Sequence, residues 1–205
     1  MKQRRTMRDQ QREETFERVF AAAIDVIRRD GVEGSRIEDI AELAGVSRGT
    51  FYFHFATREE VLLELLRRTQ VSLAEQLYAL DEEAPLDTVL ALLTSHIRDA
   101  WSSEPRLLAA VGRVALGSVD IELDQQLAAN PGLAALLPRV ERAIERGVLS
   151  DAVPAPLLTS LLLIQIFAAA LVWVRMPEQP MQPLLDGVVQ LFLHGAGKGR
   201  SSGKS

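Results

Sequence analysis

The chain has 205 residues, 47% of them hydrophobic, enough to build a buried core in one or two domains. It contains no cysteine, which excludes disulfides, thiolate catalysis and zinc knuckles together and suits a cytoplasmic protein. The formal net charge is −5, and residues 1–60 carry eleven Lys and Arg against twelve Asp and Glu, so bulk positive charge is not how this chain would hold a polyanion.

Positive charge is local instead. Lys2, Arg4, Arg5 and Arg8 precede any acid. No apolar run follows them, so the start does not read as a signal peptide. It is either a basic arm that tracks a minor groove or a solubilising tail. A first helix is predicted from Gln11 to Arg29, with Phe16, Val19, Phe20, Ala23 and Ile27 as its core stripe and Asp30-Gly31 ending it. Ser35 and Glu38 have the spacing of a capping box, and Ile37, Ile40, Ala41 and Ala44 then recur as the buried face of a second, short helix. Gly45 is placed to take a positive φ and turn the chain, Val46 fills the corner, and Ser47 caps a third helix. Two short helices on one tight turn make a helix-turn-helix.

At about 100° per residue, Phe51 and Phe55 of the third helix point into the core. Gly49, Thr50 and Phe53 face away from it, Tyr52 and His54 fall on the flanks, and Arg48 sits in the first turn, within reach of base edges in a major groove. An exposed aromatic face of this kind is costly without a partner. Duplex DNA is the partner it fits; a docking surface for another protein is the alternative.

The run Gly45-Val46-Ser47-Arg48-Gly49-Thr50-Phe51-Tyr52-Phe53-His54-Phe55, followed by Thr57-Arg58-Glu59-Glu60-Val61-Leu62, resembles the recognition helix and helix-four start of the tetracycline-repressor (TetR) family. The motif covers residues 16–66, under a third of the chain. The resemblance implies that Tyr52 and His54 touch phosphates and that Arg48, Gly49, Thr50 and Phe53 face bases. It also implies that Arg58, in place of the usual lysine, grips a phosphate at a helix start. Arg36 and Ser47 complete the expected DNA-binding set. Phe53 departs from the polar or hydroxylated ring common at its place: it can meet a thymine methyl but cannot hydrogen-bond a base edge.

Beyond residue 57 the chain reads as helix after helix. Thr57 and Glu60 form another capping box, opening a helix that runs to about Leu80 and bridges two domains. Leu86, Val89, Leu90, Leu93, Ile97 and Trp101 mark the next, and Pro105 starts a short one ending near Gly117. Asn130-Pro131-Gly132 signals a turn before a helix from Leu133 to Arg146, in which Pro138 predicts a kink or a shifted start. No period-two pattern appears, so the chain is all-α. It is divided into a helix-turn-helix domain (1–56), a helical effector-binding and dimerisation domain (57–194) and a Gly/Ser/Lys-rich disordered tail (195–205).

The stretch 157–174 is apolar all round and long enough to raise the question of a membrane span. Its three polar residues, two upstream prolines and lack of a basic flank on the N-terminal side argue for no membrane. Such a helix must be covered on both sides. A second copy of the chain is the economical cover, giving a homodimer whose seam holds Leu161, Ala168, Val172, Leu184, Val188, Leu191 and Phe192; purely internal core is the alternative. A twofold pair of recognition helices about 34 Å apart then reads a palindromic operator. Effector-driven release of that operator, with repression as the commoner role, is implied by the family resemblance.

Candidate ligand-binding residues are His96, Trp101, Gln165, Phe167 and Trp173, each set against the plainer reading of a core residue bonded to a nearby carbonyl. Their apolar surroundings favour a mainly apolar effector. His54, His96 and His194 lie far apart with no metal-ligand spacing, and no phosphate loop or nucleophile elbow is present, so neither enzyme, metal nor cofactor is expected.

Overall fold

A computed structural model describes residues 7–117 and 130–196. Every regular element among them is a helix: α1 (Met7–Gly34), α2 (Ile37–Ala44), α3 (Arg48–His54), α4 (Arg58–Ala79), α5 (Leu86–Trp101), α6 (Pro105–Gly117), α7 (Pro131–Glu145), α8 (Ala155–Trp173) and α9 (Met181–Ala196). The fold is all-α, as the missing strand periodicity implies. Of the basic start only Arg8 falls within the described residues, and most of the 195–205 tail lies outside them.

The chain divides into two compact units, residues 1–66 with 110–117 and residues 67–109 with 118–205. The division falls inside α4 rather than ahead of it, and the end of α6 goes with the first unit. In that unit α1 begins a turn earlier than the apolar stripe suggests and is interrupted at Gly31, whose φ of 76° breaks the helical path. Helix α1 packs on α2, and Val19, Ala23 and Ile27 of α1, Ile40 and Ala41 of α2, and Phe51, Phe55, Val61 and Leu62 are buried in this core. Each such large side chain contributes roughly 1.5–3 kcal/mol when fully buried.

One predicted cap is not formed. Ser35 is buried and its hydroxyl donates to the Val32 carbonyl at 2.8 Å, so Arg36, not Ser35, occupies the cap position of α2 and makes no side-chain cap bond. The reason is the break at Gly31. The Ser35 amide bonds the Gly31 carbonyl, which closes a last turn there and spends the hydroxyl on the end of α1.

In the second unit α8 packs against α5, α7 and α9, and α5 also against α7 and α9. Its core includes Leu77, Leu90, Leu93, Leu136, Leu162 and Ile166. Asn130-Pro131-Gly132 is the start of α7 itself. The Asn130 side chain accepts from the Leu133 amide at 3.0 Å, and Pro131, at the first turn, gives up no needed donor. Gly132 is buried where an added Cβ would lie 3.2 Å from Leu73 Cδ2. The helix runs on through Pro138. Arg139 of α7, nearly buried, donates to the carbonyls of Leu77, Leu80 and Asp81 and so satisfies the end of α4.

Helix α8 is long and apolar enough to cross a membrane by length and composition, with a mean hydropathy of 2.2. Among the described residues one side of it is covered: Leu158, Leu162, Ile166, Ala170 and Trp173 are buried. Leu157, Leu161, Ile164, Ala168 and Val172 are exposed. Thr159 and Ser160 donate to the carbonyls four residues back, at 2.7 and 2.9 Å, so their hydroxyls cost nothing inside the core.

Candidate nucleic-acid interface and effector region

The turn before α3 is built as its sequence requires. Gly45 takes φ 65° and ψ 39°, its amide bonds the Glu42 carbonyl, and the Val46 amide bonds that of Ala41. Ser47 then accepts from the Thr50 amide at 3.1 Å, and its hydroxyl also meets the Thr50 hydroxyl at 2.9 Å. These bonds fix where the short helix starts and so which residues face outward.

Phe51 and Phe55 are buried, and Tyr52 meets the edge of the Phe51 ring at 5.6 Å between centroids. Arg48, Gly49, Tyr52 and Phe53 are exposed, Phe53 at 64%, and Thr50 is half-buried beside them. Five of the expected DNA-binding residues therefore share the outer side of one helix. His54 does not share it fully: its ring packs edge-on against Phe16 at 5.7 Å and Phe53 at 5.0 Å. Partial burial, and then the nearby Arg12 cation, hold the His54 pKa below its ordinary value, which favours the neutral ring.

Three cations behave differently from one another. Arg36 is exposed at the start of α2. Arg48 pairs with Glu38 of α2 at 2.9 Å. Arg58 is half-buried, and its Nη1 donates to the carbonyls of Val32 and Ser35, tying the start of α4 to the end of α1. The cap ahead of it forms as predicted, with the Glu60 amide donating to the Thr57 hydroxyl at 3.2 Å and Glu60 accepting from the Ala56 amide at 2.7 Å.

Sequence reasoning missed Arg12 and Glu38. The Arg12 guanidinium lies over the Phe53 ring, 5.1 Å from its centroid. Its position one turn ahead of Phe16 on the inward stripe of α1 is the signal that was there to be read. Glu38 was read only as a cap partner.

The candidate effector residues are scattered by the fold. His96 is buried, and both ring nitrogens have partners: Nδ1 with Gln76 Nε2 and Nε2 with the Thr69 carbonyl, each at 3.0 Å. Burial is the first cause of its lowered pKa. A cleft of about 440 Å³ beside it is lined by polar residues, among them Arg68, Ser72 and Asp99. Trp173 is buried and its indole donates to the Gln179 carbonyl at 2.6 Å. Gln165 is exposed, on the open side of α8, and Phe167 is half-buried. Trp101 stands apart: it is 2% exposed, and its indole N–H has no hydrogen-bond partner among the described residues.

The expected seam is partly corrected. Leu161, Ala168 and Val172 are exposed, Leu184 and Val188 half-buried, and Leu191 74% exposed. Phe192 points the other way and is buried in its own unit, because it lies one position, about 100°, around α9 from Leu191. Among the described residues no group of three or more His, Asp or Glu could hold a metal ion.

Residues 19–65 match the family model described as bacterial regulatory proteins, tetR family. That segment, the helix-turn-helix with the start of α4, is what this chain shares with the TetR family. Over 118 residues, 57% of this chain and 60% of the relative, it is 28% identical to the fatty acid metabolism regulator protein of Bacillus subtilis. Over 93 residues, 44% of this chain and 43% of the relative, it is 39% identical to the HTH-type transcriptional regulator TtgR of Pseudomonas putida. The matched stretches thus span less than two thirds of the length of these two regulators. The fold extends further: Thermus thermophilus FadR, a TetR-family transcriptional repressor solved in complex with lauroyl-CoA, superimposes with a TM-score of 0.75. That match covers 93% of this chain and 99% of FadR at 23% identity. The relatives are transcriptional regulators and not enzymes.

Proposed function

We propose that this chain is a TetR-family transcriptional repressor. It binds a palindromic operator as a homodimer in the cytoplasm and leaves it when a mainly apolar effector enters the second unit. The observation that carries the reading is the arrangement of α3: Phe51 and Phe55 anchor the helix while Arg48, Gly49, Thr50, Tyr52 and Phe53 are presented together on its outer side. A seven-residue helix reads too few bases to find one site in a genome, so a second copy is needed. The exposed apolar side of α8 and Leu191 of α9 support that second copy.

The effector reading rests on Trp101. A buried indole N–H without a partner costs roughly 1–3 kcal/mol, and an acceptor group on a bound molecule would recover it. Because one related repressor was solved with lauroyl-CoA, a long-chain acyl-CoA is the first effector to try. Effector binding would release DNA through a shift of α4, with a coupling of about 1–3 kcal/mol.

The test is selection of duplexes from a random pool, followed by fluorescence anisotropy with the retained sequences. A palindromic consensus, and its release by lauroyl-CoA, are expected. Retention of no duplex at 50 mM salt would end the DNA-binding reading. Release by no acyl-CoA of any length would leave DNA binding intact and end only the effector assignment.

A further inference from the structure

The outer face of α3 carries an oddity for a nucleic-acid surface. Phe53, the more exposed of its two outward aromatic side chains, has no hydrogen-bonding group. The fold sets a second element beside that ring. Arg12 of α1 lies over it, 5.1 Å from the centroid, within the range of a cation–π contact. The His54 ring meets the same Phe53 ring edge-on at 5.0 Å. Arg12, Thr50, Phe53 and His54 line one cleft of about 580 Å³ between the first turns of α1 and the recognition helix. Arg8 and Asp9 line it too, so the two arginines outweigh the single carboxylate.

A long, exposed arginine normally loses much rotamer freedom when it binds a phosphate. One already seated on an aromatic ring has lost part of that freedom beforehand, and its planar fork keeps N–H groups directed away from the ring. We propose that Arg12 is a DNA phosphate clamp of the helix-turn-helix unit, with Phe53 as the platform that pre-orders it. Phe53 then acts through Arg12, and α1 joins α3 in holding the duplex. This rests on the DNA-binding reading above.

The experiment uses the full chain and a duplex retained by the wild-type protein, with affinity measured between 50 and 200 mM salt. Arg12→Gln should weaken binding by about tenfold near 150 mM. It should also flatten the plot of log affinity against log salt by about 0.9 per lost phosphate, or about two for a dimer. In the Phe53→Leu background the same substitution should cost clearly less, since the platform is already gone. An unchanged salt slope in Arg12→Gln would overturn the proposal, as would an equal cost with and without Phe53. A loss confined to one base position with the slope preserved would make Arg12 a base reader and overturn the phosphate assignment. If the wild-type protein retains no duplex at all, the DNA-binding reading fails and this inference falls with it; if it binds and Arg12→Gln matches it, only the clamp falls.

Discussion

Arg48 illustrates how a residue's neighbours set what it can do. Its pair with Glu38 is largely solvent-exposed, so it is weak and easily exchanged for a base or phosphate. On the proposed DNA-binding face, however, the same carboxylate would repel an approaching duplex. Glu38→Gln should therefore raise affinity for a random-sequence duplex at low salt, by about two- to fivefold. Fluorescence anisotropy decides it, and weaker binding would mean that Glu38 positions Arg48 rather than restraining it. Tyr52 is simpler. Its ring meets that of Phe51 and the residue is 47% exposed, so Tyr52→Phe should keep the fold and, if the hydroxyl bonds a phosphate, weaken operator binding about two- to tenfold. His96 has its effect on stability. Its folded pKa lies below the ordinary 6.5, so the unfolded chain takes up the proton first as pH falls. Its contribution is therefore complete above that ordinary value and is lost as pH drops through it toward the folded value. His54 shifts the same way and adds to the effect. Thermal melts from pH 7.5 to 5.5 should show falling stability, with a shallower fall in His96→Gln; parallel curves would contradict this account.

Two helix ends are held by single residues, and both can be probed. Arg139 supplies donors to three carbonyls at the end of α4 from a nearly buried position. Arg139→Leu removes those donors while keeping the side chain's apolar stem, and should destabilise the protein by about 2–4 kcal/mol, read from urea unfolding. At Gly45 an added Cβ meets no atom within 4 Å, so Gly45→Ala tests backbone strain alone. The cost at φ 65° should be roughly 1–2 kcal/mol. A neutral result would mean that the turn can relax, and with it the start of α3.

For the molecule as a whole, the open side of α8 is the feature that demands explanation. Ile164 is 58% exposed and Leu191 74%, and neither has a reason to face water in an isolated chain. Leu191→Arg should convert a dimer to monomers in light scattering. Ile164→Arg should do the same, while both variants keep their helical circular dichroism. An intact soluble dimer in either case would remove that residue from the interface.

The helix-turn-helix was legible in the chain because local rules decide it. Gly45, Ser47 and the Phe51–Phe55 spacing act within a few residues, and the backbone bonds they imply are the ones that form. The all-α class and the order of helices followed from periodicity for the same reason. What escaped the sequence depends on which of several groups, near or far in the chain, takes each polar atom. Ser35 has the spacing of a cap, yet the break at Gly31 takes its hydroxyl. His96 and Trp173 look like ligand contacts until Thr69, Gln76 and Gln179 occupy their polar atoms. Arg12 meets Phe53 and Arg139 meets the end of α4 only after helices far apart in the chain have packed. Spacing along the chain determined the elements, their inner faces and local caps such as Ser47 and Asn130; the partners of His96, Arg12 and Arg139 were decided by tertiary packing, because a polar group bonds to whatever the fold brings within reach.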